Sequence, residues 1–388
     1  MAAGNKRAPR PRSKRAAIAW LWTAFFAALM LFSVAATRVS PTTAPLLAPF
    51  GLLFPWATIA ATAGAIALLS LGRWRVLLWA SAIFLLSAPA LRATFGSPVL
   101  PSTQSSTQAS ALPTFTLLSW NVRLFDFYGW IDGREAPERA EDERLGTGPK
   151  AAIFRQIAAQ SPDVLCLQEF YFHADPLHYN TTDSLQACTA LNHLHVEYTH
   201  HMGAQRFGVA TFSKHPIIGR DVIRFESDEN NVCAVTDVLA GKDTLRIFNA
   251  HLSSLRFQDE DYRALDGRVP DARERARLLG RLTAAYRLRV EQLARVLTAV
   301  ESSPHRVILC GDFNDTPVSY ALHSARELLC DAHDASFGIA GTWQGAVPGM
   351  RIDYILHDFA LSPLGQRSGG EDLSDHRWVA SEFVLSAE

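Results

Sequence analysis

VILCGDFND, residues 307–315, is the stretch from which the rest of the chain can be read. Val307–Cys310 is a short apolar run rich in β-branched residues, the pattern of a buried strand, and Gly311, Asp312 and Asn314 follow it at once. Polar groups at the end of such a strand leave the core intact and deliver their side chains to one edge of a sheet. Asp312 and Asn314 are two apart, so a backbone that stayed extended would turn both to one face. That geometry suits joint work on one water or one phosphate. Asp and Asn also favour tight turns, and Gly311 and Pro317 fit that use as well, so both roles can hold together.

The arrangement recurs upstream. Phe115–Trp120, Val164–Leu167, Val209–Phe212 and Thr244–Asn249 read as strands. Asn121 follows the first of them, Gln168 and Glu169 the second, and His251 the run ending in FNA. Helical candidates at Pro149–Gln160 and Asp271–Val300 lie between, so the region from Thr114 onward mixes strands with surface helices. GxSxG, HExxH and GxxxxGK[ST] patterns are absent, which argues against serine-hydrolase, zincin and P-loop chemistry.

Seven segments in this order resemble the endonuclease/exonuclease/phosphatase (deoxyribonuclease I-like) superfamily, in a membrane-anchored bacterial form. They are SWNVR (119–123), DVLCLQE (163–169), GVATFSKHPI (208–217), NAHL (249–252), GDFND (311–315), RIDYIL (351–356) and SDHRWV (374–379). The resemblance covers about 114–385 and implies a four-layer α/β sandwich. It further implies a divalent-metal-dependent hydrolase of phosphate esters, most directly a phosphodiesterase using in-line attack by water. Asn121, Glu169 and Asp375 would then sit at a Mg²⁺ (or Mn²⁺) ion, a hard cation that takes carboxylate and amide oxygens. Asp312 would orient or deprotonate the attacking water, with Asn314 bonding the nucleophile or phosphate. His251 would stabilise developing charge, and His376, held by Asp353, would act as general acid or base. Which of Asp312 and His376 takes the proton is left open.

Charge divides the chain into an anchor and a domain. Residues 1–113 carry ten basic and no acidic residues, leaving 27 basic and all 38 acidic residues to 114–388, so a total of −1 conceals +10 and −11. Within 1–96, apolar stretches near 16–36, 50–71 and 76–95 approach the roughly 20 residues that a membrane-spanning helix needs. Pro89 and Arg92 interrupt the third, which spans only if Arg92 snorkels to the interface. A signal peptide is the competing reading of the first stretch, though cleavage would still leave a membrane protein. Residues 97–113 read as a Ser/Thr/Gln/Pro-rich linker, and 114–388 as the catalytic domain. The basic start and the Arg73/Arg75 pair favour the cytoplasmic side. Three spans therefore predict a multi-pass protein of the bacterial inner membrane with an extracytoplasmic catalytic domain; a re-entrant third segment would reverse its side.

Five cysteines without short CxxC spacing indicate neither a zinc knuckle nor a disulfide framework, and Cys166 and Cys310 read as core thiols. A nuclease needs a basic surface, and the domain is acidic; its one basic patch, Arg273–Arg295, reads as a solvated helix face with Glu274 and Glu291 interspersed. The expected partners are the lipid bilayer and a phosphodiester, either a lipid head group or nucleic acid, with no obligate protein partner. Charged insertions at 129–150 and 257–279 are the expected substrate-selecting elements. The rival from another class is a non-catalytic, membrane-tethered binding module with the same fold; no acid or histidine of the motif set is missing. A transporter is disfavoured because the apolar segments carry no acidic residue and most of the chain lies outside them.

Overall fold

The computed structural model describes residues 14–97, 114–129, 147–174, 181–255, 271–345 and 347–385. The basic start, the expected linker beyond Ser97 and the greater part of both charged insertions lie outside these residues.

The strands are Thr114–Asn121 (β1), Val164–His173 (β2), His193–Met202 (β3), Gln205–Ser213 (β4), Ile217–Arg224 (β5) and Val232–Ala240 (β6). Asp243–His251 (β7), Arg306–Asp312 (β8), Cys330–Asp331 (β9), Asp353–His357 (β10), Ser362–Gly369 (β11) and Trp378–Val384 (β12) complete them. They form two six-stranded sheets, β11-β12-β1-β2-β4-β3 and β5-β6-β7-β8-β10-β9. The parallel pairs β1–β2 and β7–β8 lie at the centre of each sheet. Strands covered on both faces read as continuous apolar runs, which is why these motifs stand out in the sequence.

Between the sheets, Leu117, Val164, Cys166, Ile247, Ile308 and Cys310 form one core, and both cysteines there are free thiols. On one outer face the helix Pro149–Gln160 packs Ile153 and Ile157 against Leu118, Trp120 and Leu165. On the other, the helix Ala272–Glu301 packs Leu293, Val296 and Val300 against Val307, Leu309 and Tyr354. Helix, sheet, sheet and helix make four layers. The first and last strands pair, Thr114 opposite Val384, so the N-terminal sheet includes the end of the chain.

The N-terminal segment forms Lys14–Ala36 (α1), a 3₁₀ turn at Ala48–Leu53, Phe54–Ser70 (α2), Val76–Leu86 (α3) and Ala88–Phe95 (α4). Two stretches, 14–36 and 48–70, are long and apolar enough to cross a membrane, and α3 with α4 makes a third only as a pair bent by 69°. The bend falls at Ser87, just before Pro89, whose missing N–H belongs in a first helical turn. The Arg92 guanidinium on α4 lies 3.2 Å from Asp334, between β9 and β10.

That ion pair belongs to a clamp between anchor and domain. Arg351 donates to the Ala93 carbonyl at 2.7 Å and to Asp331 at 2.8 Å, while Arg326 bridges Asp331 and Asp334 at 2.7 Å each. Nearby, Val318 enters the apolar cluster of Met30, Phe54 and Ala57. The backbones approach so closely there that a Cβ on Gly51 would lie 2.0 Å from the Val318 carbonyl oxygen. Burial alone would raise the Asp331 carboxyl, but the Arg351 and Arg326 guanidinium groups outweigh it and hold the carboxyl at about 2. This lies below the roughly 3.9 of an unfolded aspartate, so the stabilisation is present in full above that value and is lost as pH falls through about 2. Asp331→Ala leaves Arg351 buried without its carboxylate and should lower the unfolding free energy at neutral pH by about 3–5 kcal/mol. Urea titration of tryptophan fluorescence in detergent measures this; an unchanged midpoint would mean that the clamp contributes nothing.

Candidate active site

Strand register brings the polar strand ends together. His251 at the end of β7 lies opposite Asp312 at the end of β8, and Asp312 lies opposite Asp353 at the start of β10. In the other sheet Asn121 ends β1 beside Gln168 of β2. A β-bulge between Leu167 and Phe170 then puts Glu169 at φ 49°, a left-handed conformation uncommon for a residue with a Cβ. Bulges re-aim side chains, and this one turns Glu169 toward the other sheet's strand ends.

The carboxylate of Asp312 is the point of convergence. Asn121 Nδ2 donates to Asp312 Oδ2 and to Glu169 Oε1, both at 3.0 Å, while its Oδ1 accepts from Arg123 N. His251 Nε2 and His376 Nε2 each lie 3.7 Å from the same Asp312 oxygen. His376 Nδ1 is bonded to Asp353 Oδ2 at 2.9 Å, which fixes the ring. Asp375 faces Arg123 at 3.5 Å. Arg123–Asp126 have φ of 43°, 55°, 56° and 56°, a left-handed turn that L-residues seldom extend beyond one position; it brings Arg123 to Asp375.

Asn314 is placed differently from the extended geometry expected. The chain leaves β8 at Asp312 and turns, so that Asn314 adopts φ 52°, its N–H donates to Asp312 Oδ1, and its Nδ2 donates to the Leu252 carbonyl. Gly311, at φ 133° with its Cα against the Ala250 backbone, makes the close approach possible. Asn314 therefore joins the loop after β8 to the loop after β7.

A model of the endonuclease/exonuclease/phosphatase family matches residues 118–376, which takes in every one of these strand ends. The chain belongs to that family. The fold recurs in a family protein from Bacteroides vulgatus, at 13% identity over 71% of this chain and 100% of the other, with a TM-score of 0.50. A family protein from Beutenbergia cavernae matches at 18% identity over 70% and 72% of the two chains, TM-score 0.48. The human nocturnin catalytic domain matches at 17% identity over 71% and 94%, TM-score 0.49. No curated protein sequence matches the chain.

Members of this family are divalent-metal-dependent phosphoesterases, and the donor set fits such an ion. Asp312, Asp353 and His376 present ligand atoms within 4.8 Å of one another. However, Asp353 spends Oδ2 on His376 Nδ1 and leaves Oδ1 without a hydrogen-bond partner among the described residues, so this trio reads better as an oriented imidazole beside a carboxylate. Glu169 and Asp375 suit a hard cation better. Burial raises the Asp375 carboxyl, and the Glu169 charge adds to the rise, a repulsion that a divalent ion would relieve. Burial likewise raises Asp312, opposed by His376. For His376 burial lowers the value, yet Asp353, Asp312 and Asp375 outweigh it and the net lies well above the ordinary histidine range.

Several supporting contacts escaped the sequence reading. Gln168 Nε2 donates to Asn249 Oδ1 at 2.7 Å and to Ser119 Oγ at 3.1 Å, and Asn249 Nδ2 donates to Ala210 O, which ties the two sheets beneath the site. Ser374 Oγ donates to the Asn121 carbonyl and accepts from His376 N. Arg289, within the expected solvated basic face, is buried; it donates to the Asn314 carbonyl and lies 3.7 Å from Asp315. Polar residues inside apolar strand runs were the available signal, because a buried amide must find a partner.

Beside Glu169 and His251 opens a cleft of about 340 Å³ walled by Leu124, Tyr128, Met202, Phe207 and Val209. In EDTA-treated protein, His376 should titrate above the ordinary histidine range by NMR, and Asp353→Asn should move its pKa down, since the raising carboxylate is gone. An unmoved titration would show that Asp353 does not govern the ring.

Proposed function

We propose that the chain is a Mg²⁺- or Mn²⁺-dependent phosphodiesterase held at a membrane by its N-terminal helices. The observation that carries this reading is the convergence of two imidazoles, an amide and the Asp312 carboxylate at one strand edge, with Glu169 beside them. Glu169 with Asp375 and Asn121 would hold the cation, which when bound supplies charge neutralisation at the phosphoryl oxygens. Asp312, made more basic by burial, positions the water and accepts its proton. His251 and His376 face the same space and hydrogen-bond the phosphoryl oxygens, His376 held in place by Asp353. Water attacks in line with the leaving oxygen, and no covalent enzyme intermediate is needed. The substrate class is a phosphodiester of a lipid head group or of nucleic acid.

With α1, α2 and the bent α3–α4 pair each crossing the bilayer and Arg73/Arg75 on the cytoplasmic side, the catalytic domain lies outside the cytoplasm. Protease added to spheroplasts should then degrade the domain, whereas protection until lysis would place it inside.

Hydrolysis of an aryl phosphodiester by the full-length protein should require added Mg²⁺ or Mn²⁺ and stop with EDTA. Glu169→Ala and His376→Ala should each lower kcat by about 10²–10⁴. Turnover that survives EDTA would sink the metal mechanism; metal-dependent substrate binding without turnover would favour the binding-module alternative.

A further inference from the structure

Among the described contacts, the N-terminal helices meet the sandwich along the connections that follow β8 and precede β10, and these contacts reach the end that carries the site. β8 finishes at Asp312 and β10 begins at Asp353, so the loops beyond these two residues crown the active-site edge. Those loops are the ones that meet the anchor. Val318 packs on Met30 and Phe54, Ser336 accepts from Ser97 N, Gly338 N donates to Phe95 O, and Arg351 donates to Ala93 O. The helix Ala272–Glu301 agrees. Its 30 residues extend about 45 Å against roughly 23 Å for β8, so its N-terminal part runs beyond the sheet on the site side. Arg287, midway along, donates to the Pro41 carbonyl in the turn between α1 and α2.

One loop links the two regions directly. Thr342 Oγ1 accepts from Asp353 N at 3.1 Å, Thr342 O accepts from Arg377 N at 2.7 Å, and Gln344 N donates to Asp375 O at 2.8 Å. On either side of these contacts, Ile339 and Val347 line a crevice with Pro55 and Trp56 at the start of α2. Trp56 is 44% exposed, Phe337 75%, Ile339 45% and Val347 39%. An exposed tryptophan near the end of a spanning helix marks the head-group level; Ile339 and Val347 share the crevice with it, and Phe337 is bridged to Gly96 just past α4.

We propose that the end of the sandwich bearing Asp312 and Asp353 lies against the surface of the bilayer that α1 and α2 cross, with Phe337, Ile339 and Val347 entering its interface. The substrate is a phosphoester of a lipid in that bilayer, whose apolar portion takes the cleft walled by Leu124, Tyr128, Met202, Phe207 and Val209. This rests on the phosphodiesterase reading above. It selects the lipid over nucleic acid, because a site held at the head groups meets lipid phosphates at high effective concentration.

Two arms test it on full-length protein in nanodiscs with Mg²⁺. In the first, head-group release from phosphatidylcholine and phosphatidylglycerol is compared with hydrolysis of the matching water-soluble glycerophosphodiesters and of an oligonucleotide. One of the lipids should be turned over about tenfold or more faster than its soluble counterpart; faster cleavage of the soluble ester or of the oligonucleotide overturns the inference. In the second, an environment-sensitive fluorophore is placed by Phe337→Cys, Ile339→Cys or Lys242→Cys in a Cys188→Ser background. Lys242 is exposed in the turn between β6 and β7, at the opposite end of β7 from His251. Spin-labelled lipids should quench positions 337 and 339 but not 242, and equal quenching or none overturns the inference. Absence of EDTA-sensitive aryl phosphodiester hydrolysis sinks both readings; aryl hydrolysis without lipid preference or selective quenching sinks this one alone.

Discussion

A buried carboxylate has to be balanced, and Asp312 is balanced from four sides. Burial disfavours its charge, while His251, His376 and Asn121 favour it and Asp353 opposes it. These partners come from β7, the segment before β12, β1 and β10, so the balance exists only when both sheets are closed and in register. The amide tie between Gln168 and Asn249 fixes that register from below. A slip of one residue in any central strand would turn its polar end into the core, so the packing between the sheets and the chemistry at their edge are one constraint.

The second constraint is the clamp. Arg351 sits two residues before Asp353 and spends its guanidinium on Asp331 and on the anchor's Ala93 carbonyl. A buried ion pair is a weak source of stability but a demanding one, because neither partner can be removed alone. Here it fixes the start of β10, and with it the carboxylate that orients His376, relative to the last turns of α4.

Much of this architecture was legible in the sequence, since buried central strands leave continuous apolar runs and polar strand ends interrupt them. The strands around Leu117, Val164 and Ile308 and the helix Pro149–Gln160 follow from that pattern. What was hidden depends on single backbone torsions or on distant partners. The bulge that re-aims Glu169 and the left-handed turn at Asn314 leave no mark in composition. Arg289 looked like its helical neighbours because only the loop at Asn314, 25 residues away in sequence, draws it inward. The pairing of Arg92 with Asp334 was hidden because the carboxylate lies far downstream in the sequence.

The pairing of β1 with β12 has a consequence for how such a protein comes into being. Ser374 reaches back over 253 residues to the carbonyl of Asn121, and His376 follows it. During synthesis the apolar N-terminal helices emerge long before Asp353, Ser374 and His376. Until the last strand docks, the first sheet has an open edge beside β1 and no oriented histidine. A chain stopped before β12 would carry the apolar N-terminal helices yet lack the residue pair that closes the strand edge, so the site's geometry is the last thing the fold acquires.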